Sequence, residues 1–577
     1  MTLFPKSYTT VRALVTAYPR STLLVTVCLL LGGLSEGLGI GAMLPLLKTL
    51  LGGGQDPRET WLGRSIENLV STVGLAPTPG VLLGLIAVLL MVKAFLVLLS
   101  VRQAGFTAAA VETDLRLSLV RSLMKAKWGY FLEQASGRLS HALTTEAVYA
   151  SYCYDLVCRI IAELAQLTAY MGVALLISWQ ITLVGIAAAI LSAAGLSKFM
   201  GISRRAGETQ TRLLNAVSAR IVDALGGIKP LKAMACEERL GPLIEADIKT
   251  LNQARRSQVF SLGVVRSMIE PFFAIVLGLG AYVGLVVMRL ELEVVMVLML
   301  LFWRGLLRMG ALQANYQELV RYESSYWSLK GAIKDAEESA EPSGGDKDPT
   351  LNTGLTFDDV SFSYGDKAVL KGANLNIPAG RATAIVGPSG VGKTTIADML
   401  AGLVEPQSGR ILVDGTPLSE LDRGKWRRML GYAPQETVLF HDSILSNVTL
   451  GDPQLSRQDA EEALRMAGAW EFVADLPQGI DTIVGERGGK FSGGQRQRFS
   501  LARALVRKPC MLILDEITAG LDPHTERAIA ETVRNLKGKV TVLIISHQAA
   551  LVDAADSVYS LDGLNAEIHA VRCELEE

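Results

Sequence analysis

The 577-residue chain predicts an α-helical polytopic membrane domain with six transmembrane helices, followed by an α/β domain of the phosphate-loop type. Three observations carry this expectation. Long uncharged apolar runs crowd the chain up to about residue 312. Alternating segments punctuated by turn residues fill the stretch after residue 353. Between residues 383 and 403 an apolar run leads into a glycine-rich turn and then a helical stretch.

The membrane half comes first. Apolar residues make up 50% of the chain and charged ones 20%, too apolar for a wholly soluble protein and too charged for a wholly membranous one. Six runs, near 21–47, 80–101, 160–178, 181–200, 264–288 and 292–312, approach the roughly 20 residues that a helix needs to cross a bilayer. Only Trp179 and Gln180 separate the third from the fourth, so the pair reads as a tight hairpin with Trp at the interface. The first run follows Lys6, Arg12 and Arg20 as a signal peptide would, but it is too long and lacks a small-residue cleavage site; it is expected to be retained.

Loop charge orients the spans. Arg102, Arg116, Arg121, Lys125, Lys127, Arg138 and Arg159 fill the 102–159 loop, the 198–256 loop carries eleven more Lys and Arg, and the alternate loops are poor in them. The positive-inside rule then puts both long loops, both termini and the second half on the cytoplasmic side of the cytoplasmic (inner) membrane. A breaker-rich polar stretch from Lys334 to Pro349 reads as a linker, giving a transmembrane domain over 1–334, a linker over 335–352 and a second domain over 353–577. Lys plus Arg total 56 against Asp plus Glu 57, so no basic field exists to hold a nucleic acid, and none is expected as a partner. The six cysteines show no CxxC spacing and read as reduced thiols facing the cytosol.

Gly387-Pro-Ser-Gly-Val-Gly-Lys-Thr394 is the G-x-x-x-x-G-K-T pattern, preceded by the strand-like 383–387 and followed by a helical stretch. Its glycines turn backbone N–H groups around phosphate oxygens, Lys393 reaches the terminal phosphates, and Thr394 suits Mg²⁺. Cys510-Met-Leu-Ile-Leu-Asp515-Glu516 is an apolar strand ending in two carboxylates, of which Asp515 suits the metal and Glu516 a base for water. In Phe491-Ser-Gly-Gly-Gln-Arg-Gln-Arg498, Ser492 is a good N-cap and the glycines expose N–H groups, making a second anion site.

At these residues the chain resembles an ABC transporter half of the exporter type, a six-helix membrane domain fused to an α/β P-loop ATPase domain. The resemblance covers nearly the whole chain. It implies ATP and Mg²⁺ as cofactors, with Gly387, Ser389, Gly390, Gly392, Lys393, Thr394 and Thr395 around the phosphates and Thr394, Gln435 and Asp515 at the metal. Tyr364 in Phe362-Ser-Tyr-Gly365 resembles the adenine-stacking aromatic, Gln435 the Q-loop, and Ser492, Gly493, Gly494 and Gln495 the signature. Asp522 after Leu521 resembles the D-loop and His547 the switch histidine, so Glu516, His547 and Gln435 are the catalytic candidates. Ile517-Thr-Ala-Gly-Leu-Asp522 departs from the more usual Ala-Thr-Ser-Ala-Leu-Asp. In such proteins the signature of one domain covers ATP held by the other, which implies a second half-transporter as partner, most simply a homodimer. Trp128–Arg138 and Ile221–Glu238 resemble the two coupling helices that dock on the ATPase.

The cargo is written in charge. Lys93, Arg266, Glu270 and Arg304, with Arg308 one turn beyond, fall in apolar runs, where charge is costly unless paired or hydrated. At 1.5 Å per residue, Lys93 and Arg304 each lie roughly 20 Å from the outer ends of their helices. One reading is a basic inward-facing cavity for an anionic amphiphile; the other is an Arg266–Glu270 pair beside snorkelling arginines. Glu36-Gly-Leu-Gly-Ile-Gly-Ala-Met-Leu-Pro-Leu-Leu47, and an outer segment with Trp61, Ile66, Leu69, Val70 and Val73 on one helical face, are similar to flippases for lipid-linked oligosaccharides or lipid A. The expectation is ATP-driven export or flipping of an amphipathic, lipid or lipid-linked substrate. A peptide exporter, an ATP-gated channel or regulator, and an importer built on the exporter fold stay open.

Overall fold

The protein is described by a computed structural model over residues 5–51, 78–134, 136–187, 232–235, 237–342, 344–365, 367–485, 488–518, 523–562 and 567–573. It divides into two compact units, one of Met1–Arg121 with Gly137–Lys334 and one of Ser122–Ser136 with Asp335–Glu577.

The first unit is helical. Its spans include Pro19–Gly41, Pro79–Lys125, Ala147–Ile177 and Leu292–Glu338, and among the described residues four helices are long and apolar enough to cross a membrane. The second and the last each run for 47 residues. At 1.5 Å per residue that is ~70 Å, over twice the ~30 Å hydrocarbon core, so both helices continue as polar rods beyond the bilayer. The basic residues Arg102, Arg116 and Arg121 therefore ride on a continuous helix rather than a loop. Leu292–Glu338 likewise carries helix into the first residues of the breaker-rich stretch after Lys334.

Ser178, extended at φ −154 and ψ 105, ends Ala147–Ile177, and helix resumes over 179–187. The hairpin reading of the third and fourth runs meets this break at Trp179; the rest of the fourth run, 188–200, lies outside the described residues. The fifth run falls in Glu237–Tyr282 and the following π-turn Val283–Val287. The outer segment with Trp61, Ile66, Leu69, Val70 and Val73 lies outside the described residues, as do residues 221–231 and 236 of the second coupling segment.

Close helix packing rests on glycine. A Cβ added to Gly33 would sit 3.3 Å from Gln166 Cα and 3.4 Å from the Ala169 Cβ, and one at Gly37 would sit 3.0 Å from a Val173 methyl. Small residues four apart let backbones approach where no hydrophobic effect drives helices together. The first span thereby lies against Ala147–Ile177 along its length. Leu44, Leu82, Tyr170, Val173, Ala174, Leu298 and Leu301 fill the apolar core between these helices and the last span.

The second unit holds two sheets. One is antiparallel, in the order β2-β1-β4-β5, from β1 (Gly354–Tyr364), β2 (Lys367–Pro378), β4 (Ser408–Val413) and β5 (Thr416–Pro417). The other runs β10-β9-β3-β8-β7-β6, from β3 (Ala382–Val386), β6 (Leu430–Ala433), β7 (Met511–Asp515), β8 (Thr541–Ile545), β9 (Ser557–Asp562) and β10 (Glu567–Cys573). All its neighbours are parallel except β10 with β9. β7 and β8 are buried at every position, as strands covered on both faces must be, and their sequences are accordingly apolar but for Asp515 at the end of β7 and Thr541 at the start of β8.

The chain enters this unit under restraint. Ala126 bridges Ala340, with Lys127 N–H donating to Ser339 O at 2.9 Å and Glu341 N–H to Lys125 O at 2.7 Å. Glu341 then binds the guanidinium of Arg427 and lies 3.4 Å from Arg423 Nη1. Arg427 hydrogen bonding, with Arg423 beside it, holds the Glu341 carboxyl below its ordinary range. Ten residues on, Asp414 accepts from the N–H groups of Asn352, Thr353 and Gly354 at 2.8, 2.8 and 3.1 Å, and from two threonine hydroxyls. Burial pushes that carboxyl up, but the backbone and threonine donors outweigh it and hold it well below the usual value.

Two outcomes are expected. Gly33→Leu should overpack the first span against Ala147–Ile177 at a cost of about 1–3 kcal/mol, whereas Gly84→Leu, with nothing within 4 Å of its Cβ, should be near neutral. Comparing melting temperatures of the two purified variants tests this. Asp414→Asn should lower the melting temperature at neutral pH. Because the folded carboxyl titrates lower than the unfolded one, its contribution is present above the ordinary carboxylate range and lost as pH falls through the depressed value. The gap between variant and wild type, followed by thermal unfolding, should therefore close on acidification.

Candidate functional site

Adjacent parallel strands β3, β8, β7 and β6 end at one level, with Ile385 opposite Ile545, Asp515 opposite Ile545 and Ala433 opposite Leu514. The residues at and just beyond these strand ends line one crevice: the 387–392 loop after β3, His547 after β8, Asp515 and Glu516 at the end of β7, and Gln435 after β6. Such a carboxyl-end crevice is where open α/β sheets bind ligands.

Glycine is required in the loop. Gly390 and Gly392 lie at φ +77 and +116, and a Cβ on Gly392 would strike a Val369 methyl at 2.4 Å. On Gly387, at φ +151, it would meet Leu561 O at 2.5 Å. Gly392 starts the helix Lys393–Leu400, whose first-turn N–H groups face the loop. The far end of that helix is satisfied by side chains. Trp426 donates to Leu400 O at 2.8 Å, and Arg427 donates to Ala401 O at 3.1 Å and Gly402 O at 2.8 Å.

Lys393 is buried, 4% exposed, with its ammonium donating to the carbonyls of Gly387 at 2.8 Å and Pro388 at 2.9 Å. It also lies 3.0 Å from His547 Nε2. An ammonium has no lone pair, so Nε2 accepts and the imidazole proton resides on Nδ1. Glu516 completes the group: Gln435 Nε2 donates to its Oε2 at 2.7 Å, while Lys393 and His547 stand 3.5 and 3.9 Å from its Oε1. Its backbone is in the left-handed region at φ +47, and its N–H donates to Ile545 O at 2.8 Å. A non-glycine residue held there is strained, and the rigid sheet behind it offsets the cost of aiming this carboxylate.

Asp515 is buried, and its Oδ1 has no hydrogen-bond partner. Burial raises its carboxyl, the Thr394 hydroxyl lowers it, and the Glu516 charge raises it again. An orphaned carboxylate oxygen beside a hydroxyl is the oxygen donor set that a small hard cation takes, so Thr394 and Asp515 fit Mg²⁺. Gln435 commits its amide nitrogen to Glu516, leaving its carbonyl oxygen as the donor. Asp398, on the Lys393–Leu400 helix, belongs to no motif. Burial and the charge of Asp515 push its carboxyl up to about 6.

Tyr364, half-exposed, meets Phe362 edge-on at 4.8 Å and shares a hydrogen bond with Thr395, joining the candidate aromatic to the phosphate-loop helix. Ser389, Gly390 and Thr394 are exposed at the loop. Ser492 caps Gly493–Leu505 in a reciprocal box: Gln495 N–H donates to Ser492 Oγ at 3.3 Å and Ser492 N–H to Gln495 Oε1 at 2.9 Å. Ser492 and Gly493 are exposed there, with Gly494 following in the first turn. Asp522 lies outside the described residues.

In the membrane unit, Lys93 and Arg304 meet on one carboxylate, that of Glu36 in the first span. Lys93 Nζ lies 2.5 Å from Glu36 Oε2, which also takes the Tyr170 hydroxyl, and Arg304 Nη1 lies 3.5 Å from Oε1. Arg308 pairs with Glu163 at 3.4 Å and also reaches the Tyr170 hydroxyl. Arg266 and Glu270 stand four residues apart on Glu237–Tyr282, with side chains outside the described set. Sequence reasoning misses Glu36 and Glu163 as partners, although both are acids within apolar helices, the criterion that singles out Lys93 and Arg304.

Nucleotide-cradling loop, paired carboxylates and a signature helix, joined in one chain to membrane-spanning helices, define an ATP-driven membrane transporter half. The ABC transporter transmembrane region family matches residues 22–309 and the ABC transporter family matches residues 370–519. YwjA of Bacillus subtilis, an uncharacterized ABC transporter ATP-binding protein, is 30% identical over 78% of this chain and 79% of its own. The chain belongs to the ABC transporter family, and its chemistry is ATP hydrolysis coupled to transport. An ATP-dependent lipid A-core flippase of Chromobacterium violaceum is 29% identical over 79% of each chain, and relatives of the same name recur in other bacteria. A bacterial Atm1-family ABC exporter with ATP bound shares the fold, at TM-score 0.74 and 24% identity over 96% of this chain and 95% of that one.

Glu516→Gln is expected to keep nucleotide binding and abolish turnover, since the amide preserves shape but takes no proton. Lys393→Ala should instead weaken binding itself. Equilibrium nucleotide binding measured beside phosphate release separates the two; wild-type hydrolysis by Glu516→Gln contradicts the assignment.

Proposed function

We propose that this transporter half works as a homodimer in the cytoplasmic membrane, with both termini inside, and exports or flips an anionic amphiphile of lipid or lipid-linked type. The observation that carries the cargo reading is the Glu36 cluster. Two cations converge on one carboxylate inside apolar helices, leaving a net positive charge at membrane depth, where charge persists only for a use. Likeness to lipid A-core flippases supports the same class.

At the nucleotide site, Lys393 leaves its two carbonyl acceptors for the stronger, charge-assisted contact with ATP phosphates. Thr394, Asp515 and Gln435 would hold Mg²⁺, which would supply charge neutralisation on the phosphates. Glu516 takes the proton of the attacking water, oriented by Gln435 and by the neutral His547. Ser492, Gly493 and Gly494 act on nucleotide held by the Lys393 of a second copy, so each dimer contains two complete sites. Trp128–Glu133 belongs to the compact unit of the ATPase and transmits closure to the membrane helices.

The test is ATPase activity of the purified, reconstituted chain against lipid extracts, lipid-linked sugars and peptides. Stimulation by lipidic anions is expected. Stimulation by peptides alone would move the protein to the peptide exporters, and inward movement of cargo in sealed vesicles would reverse its polarity.

A further inference from the structure

The Glu36 cluster invites a charge count. Four helices contribute: Glu36 from the first span, Lys93 from the second, Tyr170 from the third and Arg304 from the last. Glu36 is 1% exposed; its Oε2 takes Lys93 and the Tyr170 hydroxyl, and its Oε1 faces Arg304 as an ion pair. Lys93 is held closely and is largely buried, while Arg304 touches from 3.5 Å with 44% of its side chain exposed. The neighbouring Arg308–Glu163 pair sums to zero. Lys93 and Arg304 against Glu36 sum to plus one, and the surplus resides on the loosely held, accessible guanidinium.

Spare hydrogen-bonding capacity adjoins this group. Gln166, 5% exposed, has Oε1 buried without a partner, and Arg308 has Nε buried without one. Glu163, Gln166 and Tyr170 fall at i, i+3 and i+7 on one face of their helix. Polar atoms left unmet in an apolar surround are costly, which points to a ligand or a rearranged network that meets them.

We propose that Glu36 sets the charge of the headgroup this membrane domain accepts. It is a built-in counter-anion that leaves room for one negative charge, such as a phosphodiester or a single carboxylate. A headgroup with two charges meets only one unmatched cation, or displaces Glu36 and strands a buried carboxylate. Arg304 contacts the headgroup, and Glu36 acts through Lys93 and Arg304 as a specificity-determining residue. The inference rests on the lipid reading above and deepens it.

The experiment compares phosphatidylglycerol, with one charge, and phosphatidic acid at about pH 8, where a phosphomonoester carries close to two. Each is titrated into neutral phosphatidylcholine nanodiscs holding the purified protein, and ATPase activity is read relative to the same variant without anion. Wild type should be half-stimulated by less phosphatidylglycerol than phosphatidic acid. Glu36→Gln, which raises the count to plus two, should reverse that order, the ratio shifting about tenfold or more, as expected for one additional charge-assisted hydrogen bond. Adding Lys93→Met to Glu36→Gln returns the count to plus one and should restore the wild-type order.

A folded Glu36→Gln variant that keeps the wild-type order overturns the proposal while leaving the lipid reading intact. Wild type that responds to neither anion refutes the lipid reading, and this inference with it. Should Glu36→Gln not fold, Lys93→Met alone, with a count of zero, is read instead. Its half-stimulating fraction for phosphatidylglycerol should rise about tenfold, and an unchanged value overturns the proposal.

Discussion

The parallel register of β3, β8, β7 and β6 is the constraint on which the nucleotide site depends. Backbone hydrogen bonds bring four strand ends that are distant in sequence to one level. Only that alignment lets a lysine at 393, a glutamine at 435, a carboxylate at 516 and a histidine at 547 share one hydrogen-bonded group. No one of them could sit comfortably alone. A buried ammonium needs acceptors, and a strained Glu516 backbone needs a rigid strand behind it and the carbonyl of Ile545 beside it. The apolar continuity of β7 and β8 is the sequence form of that rigidity.

The membrane unit solves a different problem with the same logic. Hydrocarbon offers no water to buried charge, so Lys93, Arg304, Arg308, Glu36 and Glu163 are folded onto one another. That is possible because Gly33 and Gly37 thin the first span until Glu36 reaches Tyr170 on its neighbour. Packing by small residues and pairing of charges are thus one device: the absence of side chains on one face permits the ionic contact on the next.

The nucleotide residues were legible because their signals are local. Ala382 to Thr394 is a strand, a turn and a helix start within one short stretch, and Ser492 with Gln495 is a capping box readable from spacing. The membrane charges were half legible. Depth along a helix follows from residue count, and Lys93 and Arg304 do come together; the direction each faces depends on which helices are neighbours, so Glu36 passed as part of a glycine-rich motif. Glu341 was hidden for another reason. In a polar, breaker-rich stretch an acid reads as solvated, and nothing local announces Arg427, 86 positions away. Asp398 is an ordinary helix residue until Asp515 is placed beside it.

The restraints on the chain between the last span and β1 bear on its tolerance to change. Glu341 is fastened to Arg427 and Asn352 to Gly354 are fastened to Asp414, and the stretch between is pinned as well: Gly345 N–H donates to Ser419 O at 3.1 Å, Lys347 N–H to Glu420 O at 3.2 Å, and Asp422 N–H to Lys347 O at 2.8 Å. Residues inserted there would shift Gly345 and Lys347 out of register with Ser419, Glu420 and Leu421. The stretch that looks like a tether is thus a stitched seam, and its length is fixed by the pairing that runs through its middle.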